Sequence, residues 1–99
     1  MPSSTLTRTV TVANHDGLHL RAATLIAALV RRHRAEVKVV KGPDRVSATD
    51  VLQVVSLATH KGEKLLLEAS GEDAEAVLEG LTRLFADRFR GDQSRNEKK

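Results

Sequence analysis

Apolar and polar residues alternate with a period of two at residues 6–12 and again at residues 36–40. This pattern predicts two half-buried strands. Residues 41–44, Lys-Gly-Pro-Asp, predict a hairpin turn, and residues 45–48 are the short returning strand. Residues 64–69 form a more apolar fourth segment, which predicts a strand in the middle of a sheet rather than at its edge.

Three other segments place their apolar residues on one helical face. The first runs from residue 18 to 33 and the second from 51 to 59. The third covers residues 74–85, with an i, i+3, i+4, i+7 series of apolar side chains, and follows a turn and cap at 70–73. The predicted order of elements is therefore β-α-β-β-α-β-α.

This order predicts an α+β fold in which a four-stranded antiparallel sheet carries three helices on one face and leaves the other face solvated. The length of 99 residues suits a single core. We expect one domain over residues 1–89. Residues 90–99 are too polar to pack and are predicted to form a disordered basic tail.

The composition excludes several kinds of site chemistry and bears on where the protein is located. The chain has no cysteine, so disulfides, thiolate catalysis and thiolate metal sites are excluded. Its two aromatic residues, Phe85 and Phe89, leave the core to be built mostly from Val, Leu, Ile and Ala. The first residues lack a signal-peptide pattern, and the nearly uncharged stretch 22–30 is too short to span a bilayer. We expect a soluble, cytoplasmic protein.

The net charge of +3 permits an anionic partner without requiring one. Residues 88–99 hold five basic and two acidic side chains, so the predicted folded part is about neutral. The basic run at residues 31–34 suits the end of the first helix, where positive charge is favoured by the helix dipole.

Candidate chemistry lies where the first helix begins, in Asp16-Gly17-Leu18-His19-Leu20-Arg21. The first N–H groups of a helix have no internal partners and attract anions. An imidazole with one unprotonated nitrogen can attack phosphorus, and the Arg21 guanidinium can bind phosphate oxygens. The residues alone leave a second interpretation open, because a histidine beside an arginine at a helix start can also be a solvated or capping pair.

The string Gly17-Leu18-His19-Leu20-Arg21-Ala22-Ala23 resembles the active-site signature of HPr, the histidine phosphocarrier of the bacterial phosphoenolpyruvate-dependent phosphotransferase system. Residues 46–58 resemble the second motif of that family, and residues 61–74 resemble its fourth strand and final helix entry. The resemblance covers roughly residues 5–85. It implies the HPr fold, an open-faced β-sandwich of βαββαβα order.

The resemblance also implies the site and its role. His19 would accept a phosphoryl group on Nδ1 from phospho-enzyme I and pass it to an enzyme IIA-type domain, in sugar transport or in a regulatory branch. Arg21 would contact the phosphate, together with Leu20 and with Asp16 as the helix cap. Such a protein is a carrier in a phosphotransfer chain rather than a stand-alone catalyst, and no cofactor is implied.

Four positions depart from the family pattern. Asp16 stands where a small polar cap is usual, and its charge would oppose a phosphoryl group beside it; Ala22 replaces a proline. Asp50 occupies the position of a regulatory serine, and Thr49 replaces a preceding lysine. Either Thr49 or Asp50 can cap the second helix. Alternatively, Asp50 partly mimics the seryl-phosphorylated state, and the chain is a regulatory, binding-only relative.

The resemblance implies that enzyme I and enzyme IIA-type domains dock on an apolar surface around the histidine. The matching residues are Leu20, Val51, Leu52 and Val55. The second helix has too many apolar residues for one buried stripe, which favours an exposed patch. Since this patch is small, we expect a monomer.

Two other functions are weighed against this one. His15 and His19 could form a metal pair, but no third ligand with suitable spacing is visible, so no metal is predicted. The β-α-β-β-α-β order also occurs in RNA-recognition domains, which stack bases on aromatic residues of the strands. No predicted strand contains Phe, Tyr or Trp. We therefore expect neither a nucleic-acid partner nor a membrane partner.

Overall fold

Seven elements follow one another in the order that the sequence predicts, in a computed structural model that describes residues 5–90. Residues 91–99, most of the predicted tail, lie outside the described residues. The elements are β1 (Leu6–Thr11), α1 (Leu20–Arg31), β2 (Glu36–Lys41), β3 (Asp44–Ser47), α2 (Val51–Ser56), β4 (Lys64–Ser70) and α3 (Ala74–Ala86).

The strands form one antiparallel sheet in the order β1-β4-β2-β3. The strand β4 lies between β1 and β2, which confirms the interior position predicted from its apolar composition. Its register places Leu65 opposite Val10 of β1 and Leu67 opposite Val39 of β2. Residues opposite each other in antiparallel strands point to the same face, so these side chains form a continuous apolar layer.

The helices cover that layer. Alternate residues of β4 and β2 are buried against the apolar stripes of α1 and α3, and a single core results. The opposite face of the sheet is polar, and on it Arg45 Nη2 lies 3.1 Å from Glu68 Oε2. The predicted α+β fold, a four-stranded antiparallel sheet with three helices, is confirmed. None of the helices between residues 5 and 90 has the length and apolar composition needed to cross a bilayer.

The start of α1 differs from the prediction. The helix α1 begins at Leu20 rather than at residue 18. Leu18 is buried, but it lies outside the helix, because its N–H donates to the carbonyl oxygen of Thr59 in another loop. At α3 the N-cap residue is Asp73, the last residue of the predicted turn and cap at 70–73, yet its side chain does not cap that helix. Its Oδ2 instead accepts the backbone N–H of Arg34 at 2.7 Å, which fastens the loop after α1 to the start of α3.

A left-handed turn ends α3 and returns the chain to the core. Arg88 and Phe89 have φ values of 57° and 61°, and the N–H of Phe89 donates to Leu84 O at 3.0 Å. Phe89 is thereby fully buried and meets the Phe85 ring edge-on, with 4.9 Å between ring centroids. The core therefore includes Phe89, which follows the end of α3.

Candidate functional site

A tight turn delivers the chain to the start of α1. The N–H of Gly17 donates to Asn14 O at 3.1 Å, and the side-chain Nδ2 of Asn14 donates to Gly17 O at 2.6 Å. Gly17 has a φ of +70°, a conformation that glycine adopts without steric cost. The turn chemistry visible in the sequence is thus realised with Asn14 bonded to both ends of Gly17.

The loop after α2 supports this turn from the other side. The carbonyl oxygen of Thr59 accepts the Leu18 N–H at 3.1 Å. The two loops are so close that a Cβ atom on Gly17 would lie 2.4 Å from Thr59 O, well inside contact distance. Gly17 is therefore required both by its conformation and by the space available to it.

His19 is the N-cap residue of α1. Its backbone is extended (φ −85°, ψ −176°), and its ring Nδ1 accepts the Ala22 N–H at 3.4 Å. A nitrogen that accepts this hydrogen bond carries a lone pair, so the neutral ring holds its proton on Nε2. The sequence-predicted histidine therefore directs the lone pair of Nδ1 at the N-terminus of the helix.

Two backbone donors at this helix end are unused. The first regular helical bond runs from Ala23 N to His19 O at 3.0 Å, and Ala22 N–H bonds the imidazole. The N–H groups of Leu20 and Arg21 have no acceptor among residues 5–90. Together with the helix dipole they create a positive end that favours an anion such as a phosphoryl group.

Three residues predicted for the phosphate site are close to His19 in the sequence, and all three are exposed. The Arg21 side chain is exposed and forms no hydrogen bond or ion pair within the described part of the chain, so its guanidinium can reach an anion. Leu20 contributes its free N–H. The assignment of Asp16 as the helix cap is wrong, because the turn at Gly17 delays the helix by three residues and gives that position to His19. Asp16 is exposed in the turn.

The N-cap of α2 is Asp50, which resolves the choice between Thr49 and Asp50. Its carboxylate Oδ1 accepts the Gln53 N–H at 3.2 Å. Thr49 contributes its carbonyl, which accepts Arg31 Nη2 at 3.1 Å and links the end of α1 to the start of α2.

The predicted docking residues lie on α1 and α2, which contact each other. Leu20 is 58% exposed and Leu52 is 75% exposed, unusually high for leucine. Val51 and Val55 are half-buried and pack against the core beside them. We call these four residues the apolar patch.

The structure shows an ionic cluster at the end of α2 that the sequence did not predict. Lys41 Nζ donates to the carbonyls of Leu57 and Ala58 at 2.9 and 3.1 Å, and it lies 3.4 Å from Glu63 Oε1. The same carboxylate oxygen accepts the His60 N–H at 2.7 Å. This backbone hydrogen bond, with a smaller contribution from Lys41, lowers the pKa of Glu63 from its ordinary value of 4.5.

Sequence reasoning also missed Asn14 and Thr59 as supports of the histidine. Asn14 stands at the beginning of a visible Asn-x-x-Gly turn, and that turn chemistry is the signal that could have identified it. Thr59 acts through its backbone, for which no sequence signal exists. Among residues 5–90, no three His, Cys, Asp or Glu side chains are grouped closely enough to hold a metal.

Known proteins are similar to this chain in sequence and in fold. Residues 6–87 match the family model described as "PTS HPr component phosphorylation site". The phosphocarrier protein NPr of Shewanella violacea is 39% identical over 84 residues, which are 85% of this chain and 92% of that protein. The phosphocarrier protein HPr of Treponema pallidum is 34% identical over 82 residues, 83% of this chain and 93% of that protein.

A solved structure is similar to this chain in its fold. The crystal structure of HPr-C-His from Thermoanaerobacter tengcongensis superimposes with a TM-score of 0.81 at 27% sequence identity. The match covers 85% of this chain and 94% of that one.

Proposed function

The chain belongs to the HPr family of phosphotransferase-system phosphocarriers, and on this premise we propose that His19 is the residue that carries the phosphoryl group. The observation that carries the proposal is the orientation of the ring: Nδ1 accepts the Ala22 N–H and so presents its lone pair at the positive end of α1. The donor would be phospho-enzyme I and the acceptor an enzyme IIA-type domain, in the cytoplasm.

The transfer uses the geometry of the helix start. The Ala22 N–H first releases Nδ1, and the freed lone pair attacks phosphorus. A P–N bond forms as the bond between phosphorus and the donor breaks, and the proton on Nε2 stays in place. The Ala22 N–H is then without its ring acceptor. It can donate to a phosphoryl oxygen instead, beside the free N–H groups of Leu20 and Arg21.

Arg21 and Asp16 act on the charge of the carried group in opposite directions. The exposed Arg21 guanidinium supplies charge-assisted hydrogen bonds to the phosphoryl oxygens. Asp16, exposed in the turn that leads to His19, opposes the negative charge. The bond to imidazole remains labile, since protonated imidazole is a good leaving group, and the next protein in the chain can take the phosphoryl group.

The test is phosphorylation with phosphoenolpyruvate and purified enzyme I. We expect one acid-labile, base-stable phosphate per chain, located on His19 by peptide mapping. His19→Gln should abolish the label, whereas His15→Gln should keep it, because His15 is an exposed turn residue. A wild-type chain without label, or a His19→Gln chain that retains it, would refute the proposal.

The apolar patch is the proposed docking surface for both partners, with the protein acting as a monomer. Exposed leucines that contribute nothing to the core are typical of contact sites. Leu52→Ala should raise the half-saturating concentration toward enzyme I by about 10-fold, in line with about 1.4 kcal/mol of lost contact. The matched control is Leu6→Ala, a 40% exposed leucine on β1 outside the patch. If Leu52→Ala and Leu6→Ala change the half-saturating concentration equally, the apolar patch is not the docking surface.

A regulatory role without phosphotransfer is the second candidate, and it depends on Asp50. The carboxylate adds a negative charge at the N-terminus of α2, next to the apolar patch, where a phosphoserine would place nearly two charges. Asp50→Ser keeps the cap and removes the charge. A changed partner affinity in this variant would favour the regulatory role, while unchanged affinity and transfer rate would leave Asp50 as a helix cap alone.

A further inference from the structure

We propose that Asn14 is a positioning residue for phosphotransfer, which sets the orientation of His19 through the carbonyl of Gly17; the inference rests on the function proposed above. Asn14 makes two hydrogen bonds to Gly17. Its backbone carbonyl accepts the Gly17 N–H at 3.1 Å, and its Nδ2 donates to Gly17 O at 2.6 Å. The peptide groups on both sides of Gly17 are therefore fixed by one residue.

The second of these bonds leads directly to the histidine. The Gly17 carbonyl that accepts from Asn14 also accepts the backbone N–H of His19 at 3.0 Å. This contact fixes the extended backbone of His19, from which Nδ1 reaches Ala22 N. Because a misplacement of the reacting atom by about 1 Å can cost about 100-fold in rate, a group that fixes this backbone affects transfer without touching phosphorus.

The chemistry of the side chain is that of an amide donor. A carboxylate at residue 14 could not donate to Gly17 O and would place a negative charge next to a carbonyl oxygen and close to Asp16. Asn14 is 8% exposed, and its Oδ1 has no hydrogen-bond partner within residues 5–90.

The experiment compares Asn14→Asp, which is nearly isosteric, and Asn14→Ala with the wild-type chain. Transfer from phospho-enzyme I is measured as a rate at saturation and a half-saturating concentration. We expect the saturating rate to fall about 10-fold in both variants, and the half-saturating concentration to change by less than twofold, because the apolar patch is untouched. Nitrogen NMR of the His19 ring should show less of the Nε2–H tautomer, since Nδ1 no longer meets Ala22 N consistently.

The matched control is Val77→Ala. Val77 is fully buried on α3, so this change lowers stability without touching the loop before α1. All chains are assayed well below the lowest unfolding midpoint, which keeps every variant folded. We expect wild-type transfer rates and an unchanged His19 tautomer in Val77→Ala.

The two proposals fail in different ways. If the wild-type chain takes no phosphate, the proposed function fails, and the tautomer comparison still shows whether Asn14 orients the His19 ring. If the wild-type chain is phosphorylated but both Asn14 variants match its saturating rate, the positioning role is refuted. It is also refuted if the His19 tautomer does not change, or if Val77→Ala slows transfer as much as the Asn14 variants do.

Discussion

Gly17 and Gly42 both have left-handed φ values, +70° and +59°, but their surroundings differ. A Cβ atom on Gly17 would meet Thr59 O at 2.4 Å, whereas one on Gly42 would meet nothing within 4 Å. Gly42→Ala should lower the free energy of unfolding by about 1 kcal/mol, the cost of the backbone conformation. Gly17→Ala should lower it by about 3 kcal/mol, because the two loops must also separate.

Urea unfolding followed by circular dichroism measures both losses in the same protein. The comparison isolates the contact with Thr59, since the backbone penalty is common to both variants. Similar losses for Gly17→Ala and Gly42→Ala would mean that the two loops move apart at no cost.

Glu63 makes stability depend on pH. Its pKa is lowered in the folded protein, chiefly by the His60 N–H and further by Lys41, so the folded state favours the charged carboxylate. The resulting stability is present above the ordinary value of 4.5 and is lost as the pH falls through the lower pKa of the folded state. Glu63→Gln should lower the melting temperature at neutral pH and weaken its decline below pH 4.5.

The control for this prediction is Glu79→Gln, an exposed carboxylate on α3 that makes no hydrogen bond or ion pair with the described residues. It should retain the acid decline of the wild-type chain. If the melting temperatures of Glu63→Gln and of the wild-type chain fall equally as the pH is lowered, Glu63 is not the source of the pH dependence.

At the scale of elements, α2 is only six residues long and depends on its cap. Asp50 supplies the acceptor for Gln53 N at 3.2 Å, and a hydroxyl can do the same. Asp50→Ala should cost about 1 kcal/mol of unfolding free energy, and Asp50→Ser only a few tenths. Chemical denaturation of the three chains gives both values, and a loss in Asp50→Ser equal to that in Asp50→Ala would exclude the capping explanation.

The boundaries of the elements show what periodicity can predict. The order of elements and the interior position of β4 follow from the apolar pattern. The start of α1 does not, because Leu18 has an apolar side chain in the correct phase but gives its N–H to Thr59 O. The predicted second helix, 51–59, likewise ends early at Ser56, and Ala58 is left-handed with a φ of 54°.

At the scale of the whole molecule, the chain end completes the core. Phe89 returns through a left-handed turn and packs on Phe85, so Phe89→Ala should cost about 3–5 kcal/mol. A chain ending at Arg90 keeps this contact. If the domain ends near Phe89, as the sequence predicts, the shortened chain should unfold at the same urea midpoint as the full chain. A lower midpoint would place part of residues 91–99 within the domain.

In the candidate site, as in the fold, some residues can be predicted from the sequence and others depend on tertiary contacts. His19, Leu20 and Arg21 are candidates in the sequence because they are adjacent at a predicted helix start and lie in the string that resembles the family signature. Asn14 and the ionic cluster of Lys41 and Glu63 could not, since their partners are set by which loops meet in space. The family resemblance gives the cap to Asp16, but the sequence does not show how many residues this turn uses before the helix begins, and the cap is His19.

The sequence by itself determined the order of the elements, the apolar faces that form one core, and the histidine at a helix start, because these depend on local periodicity and turn chemistry. The tertiary structure alone decided that His19 is the N-cap. The loop at Thr59 accepts the Leu18 N–H, and the turn itself accepts those of Gly17 and His19, so the N–H groups of Leu20 and Arg21 are the first without an acceptor among residues 5–90. Contacts between distant loops depend on packing, and no local pattern encodes them.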